Sequence, residues 1–265
     1  MLPDRTLAHI KEKSAPDRKM CKERITFLVC TNGDGSHKLN LLVIGKPKNP
    51  RSFENVQIPL EYKSTKNSWM TSALFKQWFH ESFVKQVKTF LRSRNLEERA
   101  LLIVDNAPSH ATKEELVNED GNIVTMFLPP NCTALIQPMD QNVIRLTKMH
   151  YRNSILATII SSDEQDITKR LKSVTLKDAM FILNDAWSKI PSKTIEKCWR
   201  NILSKTTQAV SSDTEYDSDD LMPLSVLKEK IGQQNLTDNI QDNISGRLNQ
   251  LGGKETSFTH LDVNQ

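Results

Sequence analysis

The sequence predicts an α/β fold in which helices cover a mixed sheet, and three observations lead there. A β-rich, apolar hairpin opens near residue 24. Short apolar runs follow in "ALLIVD" (100–105) and "IVTMFLPP" (123–130). Segments of helical period are interleaved with these runs. Strands and helices in alternation are the pattern of a sheet with helical layers.

The hairpin is the most local of these signals. "RITFLVCTN" (24–32) is rich in β-branched and apolar residues, "GDGS" (33–36) is an Asp-Gly turn signal, and "KLNLLVIGK" (38–46) is the returning strand. Residues 47–70 read as a Pro- and Asn-containing loop with a short strand near "VQIPLEY". From Thr71 the period changes. Leu74, Phe75, Trp78, Phe79, Phe83, Val87, Phe90 and Leu91 recur at helical spacing, so a helix is expected from a cap at Thr71 or Ser72 to about Arg94.

"ALLIVD" is too short and too apolar for an amphipathic helix and reads as a strand buried on both faces. "TKEELVNED" (112–120) is expected to be a short helix. "IVTMFLPP" is another buried strand, stopped by Pro129 and Pro130. A helix should begin near Asp140 or Gln141, and two more are expected at 176–187 and 191–203. Trp78, Trp187 and Trp199 sit at core-like spacing, whereas Trp69 does not.

The resulting organisation is an α/β core over residues 1–160, a helical part of the same domain over 161–205, and an acidic linker with a largely disordered tail over 206–265. "SSDTEYDSDD" opens that tail, and "LMPLSVLKEKIGQQ" within it could form a short amphipathic helix.

Composition narrows the function classes. No run approaches the roughly 20 apolar residues of a membrane helix, so no membrane partner is expected. Cys21, Cys30, Cys132 and Cys198 are scattered without a CxxC pair, which argues against a zinc site or a disulfide framework. The net charge of +4 is uneven: residues 211–265 hold ten acids and four bases, a balance of −6, and the remainder balances at +10. A basic body fits a polyanion such as DNA, although solvated surface lysines give the same total.

The acids are the candidate chemistry. Asp105 ends the "ALLIVD" strand. Asp140 follows the next strand after a loop, in "LIQPMDQNVI", with thirty-four residues between them. Strand ends on one side of a sheet bring distant residues together, and converging carboxylates suit a hard cation such as Mg²⁺ or Mn²⁺. A strand-end Asp also serves as a turn former or helix cap, so spacing alone leaves both readings open.

The wording around those acids adds more. "LLIVDNAPSH…VTMFLPPNCTALIQPMDQNVI" resembles the DDE-superfamily endonuclease domain of pogo-type transposases, closest to the Tigger and jerky group of transposon-derived proteins. "LPDRTLAHIKEKSAPDRK", "KERITFLVCTNGDGSHKLNLLVIGKPKNPRSF", "WMTSALFKQWF" and "LKDAMFILNDAWSKIPSKTIEKCWRNIL" resemble the same family, so the likeness covers roughly residues 2–205. It implies a ribonuclease H-like fold, a nuclear DNA-acting protein and a metal-binding triad of aspartates. The second and third of these match Asp105 and Asp140.

The resemblance also implies that Asn106, His110, Gln137 and Gln141 orient the carboxylates or contact DNA. Turn formation and backbone hydrogen bonding are the plainer roles for the same residues. The basic stretch Lys11, Lys13, Arg18, Lys19, Lys22 and Arg24 could follow a DNA backbone.

The family's first aspartate lies on a central strand just upstream of the block that here begins at Leu2. The chain is therefore expected to lack that strand and its acid, leaving an unpaired gap beside the Asp105 strand. Asp4 lies in an irregular segment and Asp34 in the hairpin turn, so neither is expected to substitute. Position 142 is Asn where the family usually has Gly. The expected function is a DNA-binding, transposase-derived endonuclease domain, catalytically incomplete with two of three acids. The alternatives are a protein-interaction module docking through the acidic tail, or an active Mg²⁺-dependent endonuclease should the chain start lie further upstream.

Overall fold

In a computed structural model the described residues are 24–107, 109–130, 136–160, 169, 173–203, 246–247 and 257–264. The hairpin forms as expected. Strand β1 (Thr26–Asn32) pairs antiparallel with β2 (Leu42–Gly45), with Thr26 opposite Ile44 and Leu28 opposite Leu42. The turn is closed by side chains: Asn32 Oδ1 accepts from the His37 N–H at 2.9 Å, and Asp34 Oδ1 accepts from the Ser36 N–H at 2.9 Å. Gly35 has φ +69°, and a Cβ there would stand 2.7 Å from the Ser192 carbonyl oxygen, so glycine serves both the turn and a close approach. The ladder of β2 is shorter than 38–46, and Lys38 contributes only an isolated bridge to Thr31. Strand β3 (Glu61–Ser64) adds in parallel to β2 just after Pro59.

Next come α1 (Ser72–Trp78), a π-helical turn (Phe79–Phe83) and α2 (Val84–Ser93). Thr71 is the cap, its hydroxyl accepting from the Leu74 N–H at 3.3 Å. Strand β4 (Ala100–Val104) is buried at every position. Strand β5 (Ile123–Phe127) pairs in parallel with it at the sheet edge, which leaves Val124 and Phe127 half-buried.

Residues 112–120 do not form the expected helix. They make one 3₁₀ turn (Lys113–Glu115) and then run beside β5, with Val117 bridged to Val124 and the Leu116 carbonyl accepting from Thr125 Oγ1 at 3.0 Å. Pairing with the edge strand overrides local helix propensity here.

A π-helical turn (Met139–Val143) leads into α3 (Ile144–Ile160), followed by α4 (Leu176–Ser188) and α5 (Ser192–Leu203). Thr175 and Asp178 form a capping box at the start of α4, and Lys38 Nζ donates to the carbonyls of Trp187, Ser188 and Ile190 near its end.

The largest departure from expectation lies at the chain's end. Residues 257–264, expected to belong to a disordered tail, form strand β6 (Ser257–Asn264). The sheet order is β3-β2-β1-β6-β4-β5, with β6 antiparallel to β1 and parallel to β4. The gap expected between the hairpin and the Asp105 strand is therefore filled, and the interior backbone groups of β1 and β4 find partners. The expected linker and amphipathic segment at 206–245 lie outside the described residues.

Alternation along the strands divides the core into two layers. Leu28, Leu42, Leu102 and Val104 face α1, the π-helical turn after it and α2, and Phe75, Trp78, Phe79 and Phe83 form an aromatic layer there. Val29, Val43, Leu101 and Ile103 face the opposite way, toward Met139, Val143, α4 and α5. On that side Trp187 Nε1 donates to the Leu39 carbonyl at 3.0 Å and Trp199 Nε1 to Thr31 Oγ1 at 3.4 Å. Trp78, Trp187 and Trp199 are buried as expected, and Trp69 is 47% exposed.

Candidate functional site

The site begins where β4 stops. Burial of Ala100 to Val104 fixes the strand between its neighbours, so Asp105 is held at the rim of the sheet with its side chain 19% exposed. The chain then turns sharply: the Ala107 N–H donates to the Asp105 carboxylate, and the His110 N–H donates to the Ala107 carbonyl at 3.0 Å. This fold-back seats the His110 ring against Phe75, with ring centroids 4.5 Å apart.

His110 Nδ1 lies 3.0 Å from the Asp105 carbonyl oxygen and 3.1 Å from Asp105 Oδ1. A carbonyl oxygen only accepts, so the ring proton belongs on Nδ1. Burial lowers the pKa of His110 against the opposing pull of the Asp105 charge. The contact is thus a neutral imidazole beside a carboxyl group rather than an ion pair. His110 Nε2 is left buried with no hydrogen-bond partner among the described residues.

Burial raises the pKa of Asp105, the neighbouring charge of Asp140 pushes in the same direction, and His110 and the Ala107 N–H oppose them. The charge of Asp140 is thus near enough to bear on Asp105. Asp140 stands exposed in the first turn of the π-helical segment, where its N–H donates to the Gln137 carbonyl at 3.2 Å. Gln137 is fully buried, and neither polar atom of its amide has a partner among the described residues.

Of the other sequence candidates, Asn106 is exposed beside Asp105. Gln141 is half-buried, its N–H donating to the carbonyls of Gln137 and Pro138 at 3.2 Å each. Asn142 Oδ1 accepts from Arg145 Nε at 2.8 Å. Arg24 is exposed, and Lys11 to Lys22 lie outside the described residues.

Two carboxylates, one of them largely buried, would form an oxygen-only donor set, which suits Mg²⁺ or Mn²⁺ rather than a soft metal. Among the described residues no three His, Cys, Asp or Glu side chains group as metal ligands, so the donors fit a cation in part. The element near this site that sequence reasoning missed is β6. Its signal was weak: Gly252 and Gly253 followed by a short stretch containing Phe258, Thr259, Leu261 and Val263.

A family model described as DDE superfamily endonuclease matches residues 22–199, and the chain belongs to that family. It is 36% identical over 231 residues to human Tigger transposable element-derived protein 7, a match covering 82% of this chain and 41% of that protein. It is 32% identical over 209 residues to the mouse Jerky protein, covering 78% and 36%. Mouse Tigger transposable element-derived protein 4 is 32% identical over 203 residues, covering 75% and 36%. The chain thus spans about two-fifths of the length of these relatives. No solved structure matches it. Among the described residues no helix is long and apolar enough to cross a membrane.

Proposed function

We propose that this chain is a transposase-derived, ribonuclease H-like domain that binds DNA in the nucleus and holds a divalent cation between Asp105 and Asp140. One observation supports this above the others. Two acids with thirty-four residues between them come close enough for the charge of Asp140 to bear on Asp105, and the Asp105 carboxylate is largely buried at the rim of the sheet. A carboxylate in that position is stabilised by a cation, because burial and a like charge both oppose its ionisation.

Asp105 and Asp140 would bind the cation; His110 and the Ala107 N–H fix the orientation of the Asp105 carboxylate, and the buried Gln137 offers an amide to ligands at the rim. When bound, such a cation polarises a phosphate oxygen and lowers the pKa of a water. Two acids alone leave the family's triad incomplete, so this reading gives a DNA-binding domain with impaired cleavage. The basic body supplies phosphate contacts.

The test is a DNA-binding isotherm at several salt concentrations with and without Mn²⁺. Affinity is expected to fall by about tenfold or more between 50 and 200 mM salt, and Asp105→Ala is expected to abolish any Mn²⁺-dependent nicking. Binding indifferent to salt, or nicking that survives the substitution, refutes the corresponding half of the reading.

A further inference from the structure

Of the four tryptophans only Trp69 stands in solvent, 47% exposed although Ser68 and Met70 on either side of it are buried. A short turn after β3 holds it there. The Thr65 N–H donates to the Gly45 carbonyl at 3.0 Å, the Ser68 N–H donates to the Thr65 carbonyl at 3.1 Å, and Thr65 Oγ1 donates to the Trp69 carbonyl at 2.9 Å. Ser68 takes φ +57°, a left-handed conformation that is strained for a residue with a Cβ, and its hydroxyl is buried with no partner among the described residues. One exposed ring by itself is ordinary on a protein surface. What surrounds this one is not.

Strand β2 ends at Gly45, level with Ser64, the last residue of β3, so the connections that carry Lys46 and Lys66 leave the sheet together. Thr26 opposes Ile44 in the antiparallel ladder, and the same register carried outward brings Arg24 level with Lys46. Arg24, Lys46, Lys48 and Lys66 are all exposed, and none makes an ion pair among the described residues. The carboxylates of this stretch are placed elsewhere. Glu61 is at the other end of β3, engaged by Lys63 and Ser82, and Glu54 follows the 3₁₀ turn Arg51–Phe53 in the crossover between β2 and β3. Uncompensated cations beside an exposed indole match one ligand chemistry: a nucleic-acid strand whose phosphates take the cations and whose base faces take the ring.

This patch lies away from the acids but on a path to them. Ile103 is level with Thr31 through their shared partner His260, whereas Ile44 is level with Thr26, five residues further out along β1. Lys46, two residues past Ile44, therefore stands roughly 16 Å further along the strand direction than Asp105, two residues past Ile103, and three places across the sheet from it. Helix α1 begins three residues after Trp69 and sets Phe75 against His110, beside Asp105. A strand a few nucleotides long covers that interval.

We propose that Arg24, Lys46, Lys48 and Lys66, together with Trp69, form a platform for an unpaired DNA strand, the cations on its phosphates and the Trp69 indole stacked on one of its bases. This rests on the reading of the chain as DNA-binding and is independent of the cation pair. It adds where the DNA lies and that it is unpaired there. A duplex keeps its base faces in its own stack, so the indole favours a single strand in a way that the cations alone do not.

The test compares a blunt duplex with the same duplex carrying a single-stranded overhang, each bound to the full chain, to Trp69→Ala, to Trp69→Phe and to a triple variant with Lys46→Ala, Lys48→Ala and Lys66→Ala. The wild-type chain is expected to prefer the overhang. Trp69→Ala should lose about tenfold in affinity for the overhang DNA and little for the blunt duplex, while Trp69→Phe keeps most of the preference. The triple variant should weaken both DNAs and lower the slope of log affinity against log salt by about 1 for each phosphate contact removed. In the unaltered chain Trp78, Trp187 and Trp199 are buried, so the emission quenched by acrylamide is that of Trp69. The overhang DNA should shield it and the blunt duplex should not. Equal wild-type affinity for the two DNAs, full quenching of Trp69 in the overhang complex, or an unchanged salt slope in the triple variant overturns the proposal and leaves DNA binding by another surface standing. A chain that binds neither DNA refutes both readings. Loss of self-association in Trp69→Ala with DNA affinity unmoved makes the patch a protein interface and overturns the proposal as well.

Discussion

The two sides of the sheet differ in kind. The α1–α2 side is a dry aromatic layer in which Phe75, Trp78, Phe79 and Phe83 close over Leu28, Leu102 and Val104. The opposite side is also apolar at its centre, but at its rim the charge of Asp140 bears on the buried Asp105, and the Gln137 amide has no partner among the described residues. One side gains stability from each buried group, and the other retains groups whose burial opposes folding. The contrast teaches that stability and function are separable here, because the acids sit at the strand end and the dispersion contacts lie behind it.

The sharpest way to break that contrast is to empty the aromatic side. Phe79→Ala is expected to destabilise the fold by about 3–5 kcal/mol, read from denaturant unfolding, with cation binding by the remaining folded fraction unchanged. A loss of cation affinity in proportion to stability would show that the two sides are not separable.

On the acid side the sign reverses. Burial and Asp140 raise the pKa of Asp105, so the folded state holds a proton that the unfolded state has released as pH rises from the ordinary carboxylate range through the raised value. Stability contributed by this group falls across that window and stays lowered at neutral pH. Asp105→Asn is therefore expected to raise metal-free stability at pH 7 while abolishing stabilisation by Mn²⁺. Thermal melting with and without the ion checks both, and a destabilised, still Mn²⁺-responsive variant contradicts them.

A smaller effect lies at the cap of α4. Thr175→Ala removes the hydroxyl that accepts from the Asp178 N–H at 3.2 Å, and should cost about 1 kcal/mol in unfolding free energy without changing cation binding.

A further prediction concerns acid pH. Burial lowers the pKa of His37 to about 4 against the pull of Asp34, and the ring stacks on Phe90 at a centroid distance of 4.3 Å. A depressed histidine favours the folded state above its ordinary pKa, and that contribution is lost as pH falls from about 6.5 toward 4. His37→Phe should flatten this part of the stability–pH curve, as pH-dependent melting would reveal.

Legibility of the fold followed the range of the interactions. The β1–β2 hairpin, the helical run from Thr71, and the stretches that became α4 and α5 could all be read, because turn chemistry and periodicity act over a few residues. Residues 112–120 were misread because Val117 and Leu116 answer to β5, not to their own helix propensity. At the candidate site Asp105 and Asp140 could be named from their motifs. The neutral state of His110 and the stranded amide of Gln137 could not, since burial by distant elements creates both.

The sequence by itself determined the α/β class, the strand that ends at Asp105, the membership of the family and the uneven charge, all of which are local pattern or composition. Only the tertiary structure decided what completes the sheet. A short segment after two glycines gives only a weak strand signal by itself, and it becomes β6 because β1 and β4 offer two rows of unsatisfied backbone groups. Those rows exist only once strands from opposite ends of the domain have been brought side by side.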